Sequence, residues 1–328
     1  MNKIHLNANE NPYITFEKKE LENLFYNYNY NRYPNSSYKN LRNAIAQKNH
    51  INSENIITTN GSDELIQLII IAFSKENDSI LSCEPTFSQY CKISSNLGRN
   101  YIGISPKGNL ELDIRKAIKT IKEVQPKIIF LCYPNNPTGE LIDEKLIHEI
   151  IKTSNGIVVI DEAYIEFTDF TNLKLIDKYD NLIIMRTLSK AYGLASLRIG
   201  YGVSINKHIQ KLDSMRMPFN ISGISEYIAS NILEKIDFKK YNTYIINEKK
   251  RILKILDELN MNYFKSDSNF ILLDSPYNKE IFDYCKRENI YIRDFDTKYL
   301  INFIRFSIGT AEENSKFIKI LRDVVENE

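Results

Sequence analysis

Three short apolar runs constrain this chain more than anything else in it. Ile128-Ile129-Phe130-Leu131-Cys132, Ile157-Val158-Val159-Ile160 and Leu182-Ile183-Ile184-Met185 contain no charged or amide residue. A strand with one wet face alternates polar and apolar side chains. A strand without alternation is covered on both faces, the habit of parallel sheets sandwiched between helices. Helical stretches such as Leu141 to Thr153 lie between these runs and supply the crossovers. The sequence therefore predicts an α/β fold on a mainly parallel central sheet.

The flanking segments extend that plan. Short helices are expected near Glu17 to Phe25 and from Ser37 to Asn49. A strand at Ile56 to Thr59 then turns through Asn60-Gly61-Ser62-Asp63-Glu64 into a helix reaching Ser74, with Ser62 as its expected N-cap. Ser79 to Cys83 reads as a further strand. After about Asn231 the pattern changes: one long helix to Leu259, strands at Phe270 to Leu273, Tyr291 to Arg293 and Phe303 to Ser307, and a final helix from Glu312 to Val325. The expected organisation is an N-terminal arm (1–30), a large domain (31–230) and a smaller α+β domain (231–328) that the arm joins. With 328 residues the chain has room for two such cores.

Composition removes several classes. Lys+Arg is 43 and Asp+Glu 42, a net charge of +1, so there is no basic excess for a general nucleic-acid surface. The most apolar stretch, Leu65 to Phe73, contains Gln67 and is far shorter than the ~20 residues of a membrane span. The first residues have no apolar core of a targeting segment. Cys83, Cys91, Cys132 and Cys285 form no Cys-x-x-Cys pair and read as small buried residues, so a reducing, cytoplasmic setting is expected. His5, His50, His148 and His208 share no metal spacing, and no metal is expected. Gly-x-Gly-x-x-Gly is absent, which argues against a dinucleotide enzyme.

Chemistry gathers where the apolar runs end. The first leads into Tyr133-Pro134-Asn135-Asn136-Pro137-Thr138-Gly139, the second into Asp161-Glu162-Ala163-Tyr164, the third into Arg186-Thr187-Leu188-Ser189-Lys190. Asn136, Asp161 and Lys190 follow one another at intervals of 25 and 29 residues, each near one βαβ unit of about 30. Ligands of open α/β sheets bind at the carboxyl ends of the strands. An amide, a carboxylate with a phenol, and a lysine are thus set to face one crevice. Pyridoxal phosphate asks for that set: a lysine to hold its aldehyde as a Schiff base, a carboxylate to keep its ring nitrogen protonated, donors for its ring oxygen, and helix N-terminal amides plus a cation for its phosphate.

The ordered blocks Asn7-Ala8-Asn9-Glu10-Asn11-Pro12, Arg32-Tyr33-Pro34, Asn60 to Glu64, Pro85-Thr86-Phe87, Pro134 to Gly139, Asp161 to Tyr164, Thr187 to Tyr201 and Arg305 to Thr310 resemble the fold type I pyridoxal-phosphate aminotransferases, and within them the histidinol-phosphate aminotransferase group. The resemblance implies Lys190 as the Schiff-base lysine and proton carrier, Asp161 as partner of the ring nitrogen, and Tyr164 and Asn136 as donors to the ring oxygen. It implies Phe87 on the ring face and Gly61, Ser62, Thr187, Ser189 and Arg198 around the phosphate. Tyr33 is expected to reach the partner subunit's site in a homodimer. Arg305, Arg293 and Asn11 are expected to meet the substrate. The implied activity is amino transfer between a donor, glutamate, and a small phosphorylated amine or ketone. The alternatives are decarboxylation of an O-phospho amino acid, as in threonine-phosphate decarboxylase, and, remotely, a ligand-binding module without catalysis. The chain departs from the group in its short segment before Asn9, in Ser196, where the pattern has glycine, and in Pro12-Tyr13-Ile14. These changes spare the cofactor residues and bear on the substrate pocket.

Overall fold

The computed structural model describes residues 3–111 and 113–326; residues 1 and 2 of the expected arm, Leu112 and residues 327 and 328 lie outside the described residues. In chain order the elements are β1 (Ile4–His5), α1 (Lys18–Tyr26), α2 (Lys39–Asn49), β2 (Ile56–Asn60), α3 (Gly61–Phe73), β3 (Ser79–Cys83), α4 (Gln89–Asn96), β4 (Asn100–Ile104), α5 (Ile114–Val124), β5 (Ile128–Cys132), α6 (Glu144–Thr153), β6 (Ile157–Asp161), β7 (Leu182–Thr187), β8 (Ile199–Val203), α7 (Asn206–Met215), α8 (Gly223–Ile232), α9 (Phe238–Glu258), β9 (Asn262–Tyr263), β10 (Phe270–Asp274), α10 (Asn278–Arg287), β11 (Ile290–Tyr291), β12 (Arg293–Thr297), β13 (Leu300–Ser307) and α11 (Ala311–Glu326).

The apolar runs build a seven-stranded sheet in the order β2-β8-β7-β6-β5-β3-β4. Every residue of β5, β6 and β7 is buried, as their lack of alternation requires. The sheet is parallel from β4 across to β7, while β8 runs antiparallel to both β7 and β2. One apolar cluster on one side includes residues of α2, α6 and α8. A second, on the other side, includes residues of α3, α4 and α7. Register places Cys132 beside Asp161 and Asp161 beside Met185, so the segments that follow β5, β6 and β7 leave the sheet at one level.

A third cluster belongs to the C-terminal part, where β12-β13-β10-β9 form an antiparallel sheet backed by α9, α10 and α11. The N-terminal segment is stitched to this part: β1 pairs in parallel with β11, and Leu6 N–H donates to Tyr291 O at 2.8 Å. Among the described residues no helix is long and apolar enough to cross a membrane.

Two local expectations need correction. Ser62 does not cap α3. The helix starts at Gly61 behind Asn60, and Glu64 Oε2 reaches back to accept from Asn60 N–H at 2.5 Å, which satisfies an amide the helix leaves over. The long helix expected over 231–259 is two helices. The chain leaves α8 after Ile232 and restarts at Phe238, where the Asp237 carboxylate accepts from Lys240 N–H at 3.3 Å. That N-terminal cap outweighed an uninterrupted helical pattern.

Candidate active site

A cleft of about 700 Å³ opens between the carboxyl ends of β5 to β7, the segment Asn7 to Asn9, and the β12–β13 hairpin. Lys190, Tyr164, Asn136, Phe87, Arg305 and Arg293 all line it. The strand ends that the sequence spaced one crossover apart therefore do converge.

Asp161 closes β6, beside Met185 of β7, and is buried without itself lining the cleft. Its Oδ1 accepts from Ala163 N–H at 3.1 Å and its Oδ2 from the Tyr90 hydroxyl at 2.5 Å. Both donors are neutral. Burial pushes the Asp161 carboxyl up to about 6, and the two hydrogen bonds only partly offset this. The site holds a buried acid with no cationic partner among the described residues.

Lys190 follows β7 and donates from Nζ to Ala8 O at 2.7 Å, 5.8 Å from the centre of the Tyr164 ring. Burial, with the charges of Arg305 and Arg198 added, lowers its ammonium to about 8. Near neutral pH this amine gives up its proton far more readily than a surface lysine. Tyr164 Oη accepts from Asn9 Nδ2 at 3.0 Å and from Asn136 Nδ2 at 3.3 Å, and burial raises its phenol to about 12. The hydroxyl keeps its proton and remains a donor.

Beside α3 lies a polar cradle. Thr187 Oγ1 accepts from Ser189 N–H at 3.1 Å and donates to Ser189 Oγ at 3.0 Å; Arg198 Nη1 lies 3.5 Å from Ser189 Oγ and Nη2 3.3 Å from Asp63 Oδ2. Gly61, at φ +77°, stands where a Cβ would come within 2.6 Å of the Arg198 guanidinium, so the cation reaches the helix N-terminus because no side chain is in its way. Amides of a 13-residue helix, two hydroxyls and an arginine make an anion site. Ser62 sits in the first turn of α3, half-buried.

Arg305 on β13 and Arg293 on β12 stand directly opposite in the antiparallel register, which puts them on one face. Both guanidiniums lie 5.7 Å from the centre of the Phe295 ring. Arg305 is buried; its Nη1 donates to Asn136 Oδ1 and its Nη2 to Asn7 O at 3.0 Å, while Nε has no partner among the described residues. Two like charges directly across a strand pair repel, and an anion between them removes that penalty.

Asp161 and the cradle residues Gly61, Ser62, Thr187, Ser189 and Arg198 do not line the cleft itself, and two further expected residues, Asn11 and Tyr33, lie outside it as well. Asn11 does not line the cleft: its Nδ2 donates to Ala191 O at 2.9 Å and its Oδ1 accepts from Tyr13 N–H at 3.0 Å, so it braces the loop behind Lys190. Tyr33 is 82% exposed and stacks on Phe219 with ring centres 4.6 Å apart, outside this chain's own cleft. Two contributors went unassigned in the sequence. Asn9 was part of a recognised block but carried no role. Tyr90, three residues after Phe87 on α4, looks like any core tyrosine; only its pairing with Asp161 and its stacking on Phe130 at 4.6 Å distinguish it.

The set fits pyridoxal 5′-phosphate on observations of this fold alone: an uncompensated buried carboxylate, a lysine with a lowered pKa, and a helix N-terminus cleared for an anion.

Comparison with known proteins agrees. The sequence profile described as "Aminotransferase class I and II" matches residues 1–321. A histidinol-phosphate aminotransferase of Ruminiclostridium cellulolyticum is 36% identical over 95% of this chain and 90% of its own. One from Caldanaerobacter subterraneus is 33% identical over 98% of this chain and 93% of its own. In fold, the chain superposes on the histidinol-phosphate aminotransferase of Sinorhizobium meliloti, solved in complex with pyridoxal-5′-phosphate, with a TM-score of 0.91, covering 99% of this chain and 91% of that one at 22% identity.

Proposed function

This chain belongs to the class I and II aminotransferases, and on that footing we propose that it binds pyridoxal 5′-phosphate on Lys190 and transfers amino groups between glutamate and a small phosphorylated partner of the histidinol phosphate type. The observation that carries the reading is the joint placement of Lys190, Asp161 and the Arg293–Arg305 pair at the carboxyl ends of neighbouring strands and the hairpin facing them. When bound, the cofactor supplies a carbonyl that takes up amino groups and a cationic ring that accepts an electron pair from the substrate carbon.

The rest is done by the chain. Asp161, short of a cation, accepts from the protonated ring nitrogen and holds that proton in place. Tyr164 and Asn136 donate to the ring oxygen, and Phe87 covers a ring face. Gly61, Ser62, Thr187, Ser189 and Arg198 grip the phosphate. Lys190 Nζ would hold the cofactor's aldehyde end and, when its amine is free, would be the base that takes up and delivers the substrate α-carbon proton. Its lowered ammonium pKa suits a base at neutral pH. Arg305 and Arg293 take the donor's carboxylate in one half-reaction and the anionic end of the phosphorylated substrate in the other.

A second copy is read from the exposed aromatic pair Tyr33 and Phe219, whose rings stack 4.6 Å apart, with Met217, nearby in sequence, also open to solvent. Exposed apolar side chains of this kind suit an interface. The reading is a homodimer in which Tyr33 extends into the partner's cleft, with the chain divided into arm, large and small domains at residues 30 and 230. Four unpaired cysteines support a cytoplasmic setting.

The test is direct. The cofactor-loaded enzyme should lose its visible absorption band on adding glutamate and regain it with the keto form of the phosphorylated substrate. Release of carbon dioxide from an O-phospho amino acid with no acceptor present would instead select decarboxylation. A band unmoved by every donor would end the transaminase reading.

A further inference from the structure

The mechanism leaves unused one buried amine, Lys249 on α9. Its side chain is nearly enclosed, and its Nζ donates to two carbonyls of one loop, Ser266 O at 2.6 Å and Ser268 O at 2.7 Å. Among the described residues no carboxylate is hydrogen-bonded to it. Burial lowers its pKa to about 8, with Asp267 acting against the shift and Lys250 with it. Burying an ammonium costs several kcal/mol unless its donors are well used. Here two of its three N–H donors go to the six-residue link between β9 and β10.

That link holds both of the amides that converge on Tyr164. Asp267 N–H donates to Gly139 O at 2.7 Å, fixing the turn that carries Asn136. Gly139, at φ +80°, packs so close to Ser266 that an added Cβ would fall 2.3 Å from its Oγ. On the other side Asn269 Nδ2 donates to Asn9 O at 3.1 Å and Glu10 O at 3.4 Å, fixing the segment that carries Asn9. Asn9 and Asn136 then bond the same Tyr164 hydroxyl, and Asn136 also carries Arg305. The β9–β10 link is a strap across the two walls of the cleft, and the ammonium is what ties it to α9.

We propose that Lys249 is a positioning residue: through the Ser266–Asn269 strap it sets Asn9 and Asn136 against Tyr164 and Arg305, and so tunes the groups that face the cofactor's ring oxygen and the substrate's anionic end. It touches neither ligand. Without it two buried carbonyls lose their donor and the strap relaxes. Positional errors near 1 Å at reacting groups cost up to about a hundredfold.

The claim rests on the reading of Tyr164 and Asn136 as donors to the ring oxygen. Its test therefore includes a readout that does not need turnover. In the cofactor-loaded Lys249→Met variant, the pH midpoint of the visible band should move upward by about half a unit or more, because weaker donors stabilise the ring oxygen's anion less. KM for the phosphorylated substrate should rise roughly tenfold with kcat changed less. Lys249→Arg, which keeps a cationic donor, should restore both. Gly139→Ala, which disturbs the same strap from the opposite side and spares the ammonium, should give the same pair of shifts. Combined with Lys249→Met it should add little, and it serves if Lys249→Met does not fold. A Lys249→Met protein with a lower melting temperature but an unmoved band midpoint and KM would make Lys249 a plain stability anchor and overturn the proposal. A wild-type enzyme without transaminase activity would instead defeat the function proposed above, while the band midpoint would still decide the role of Lys249.

Discussion

Asp161 and Glu162 are neighbours in sequence, both buried acids at the end of β6, yet they face opposite sides of the sheet and live by opposite rules. Glu162 is complete. Its Oε2 accepts from Arg186 Nε at 2.9 Å and Nη2 at 2.6 Å, and its Oε1 from Asn172 N–H at 2.6 Å and Nδ2 at 3.0 Å. Arg186 also donates to Asn49 and Thr171, and its Nη1 lies 3.9 Å from Glu166 Oε1. Among the described residues Asp161 has only a tyrosine hydroxyl and one amide. A buried charge without a partner is costly, and folds tolerate one where a ligand will complete it. The contrast separates structural from functional acid better than burial does, since both are buried alike.

The largest expected effect of breaking this pair is on turnover. Asp161→Ala should lower kcat/KM roughly 10³-fold, the scale of losing one preorganised electrostatic partner, with the folded fraction little changed; steady-state kinetics checks it. Glu162→Gln should do the reverse. It leaves Arg186 buried and underpaired, which costs about 3–5 kcal/mol in denaturant unfolding, while activity of the folded fraction stays within a few fold.

Stability of the cofactor-free protein sharpens the contrast in sign. The Asp161 carboxyl titrates near 6 when folded, against the usual value of 3.8. Between those values the folded state binds more protons than the unfolded one, so this group's contribution falls as pH rises from about 4 to about 6. Asp161→Asn should remove that slope and raise stability at pH 7 by about 1–3 kcal/mol, seen as a higher melting temperature without cofactor. A smaller effect is expected for Tyr90→Phe. Losing the hydroxyl raises the carboxyl further and should weaken cofactor binding about three- to tenfold in a titration of the visible band.

Much of this was legible because it is set by patterns that survive in one dimension. Strands buried on both faces advertise themselves by lacking polar residues, and the β5, β6 and β7 ends place Asn136, Asp161 and Lys190 by crossover length alone. What stayed hidden depends on contacts between distant segments. β8 is as long as β5 and β6, but its Gly200 and Gly202 break the apolar run and conceal a strand that inserts antiparallel between β2 and β7. The α8–α9 break has neither proline nor glycine and rests on the Asp237 cap. Ser62 read as a cap because its residue type suits one, but Glu64 reached Asn60 first. Tyr90 lies 71 residues from Asp161 and has no local mark of its role. Asn11 shared a block with Asn9, yet only Asn9 bonds Tyr164; neighbouring residues point different ways, and a motif does not say which one faces the cleft.

The central claim is that Lys190 is the cofactor's attachment point, and one mapping experiment addresses it. The purified chain is incubated with pyridoxal 5′-phosphate, reduced with borohydride, digested and examined by mass spectrometry. The account predicts the reduced pyridoxyl group on Lys190 alone, and no label at that site in Lys190→Ala. A stoichiometric label on another lysine, with Lys190 unmodified, would contradict it.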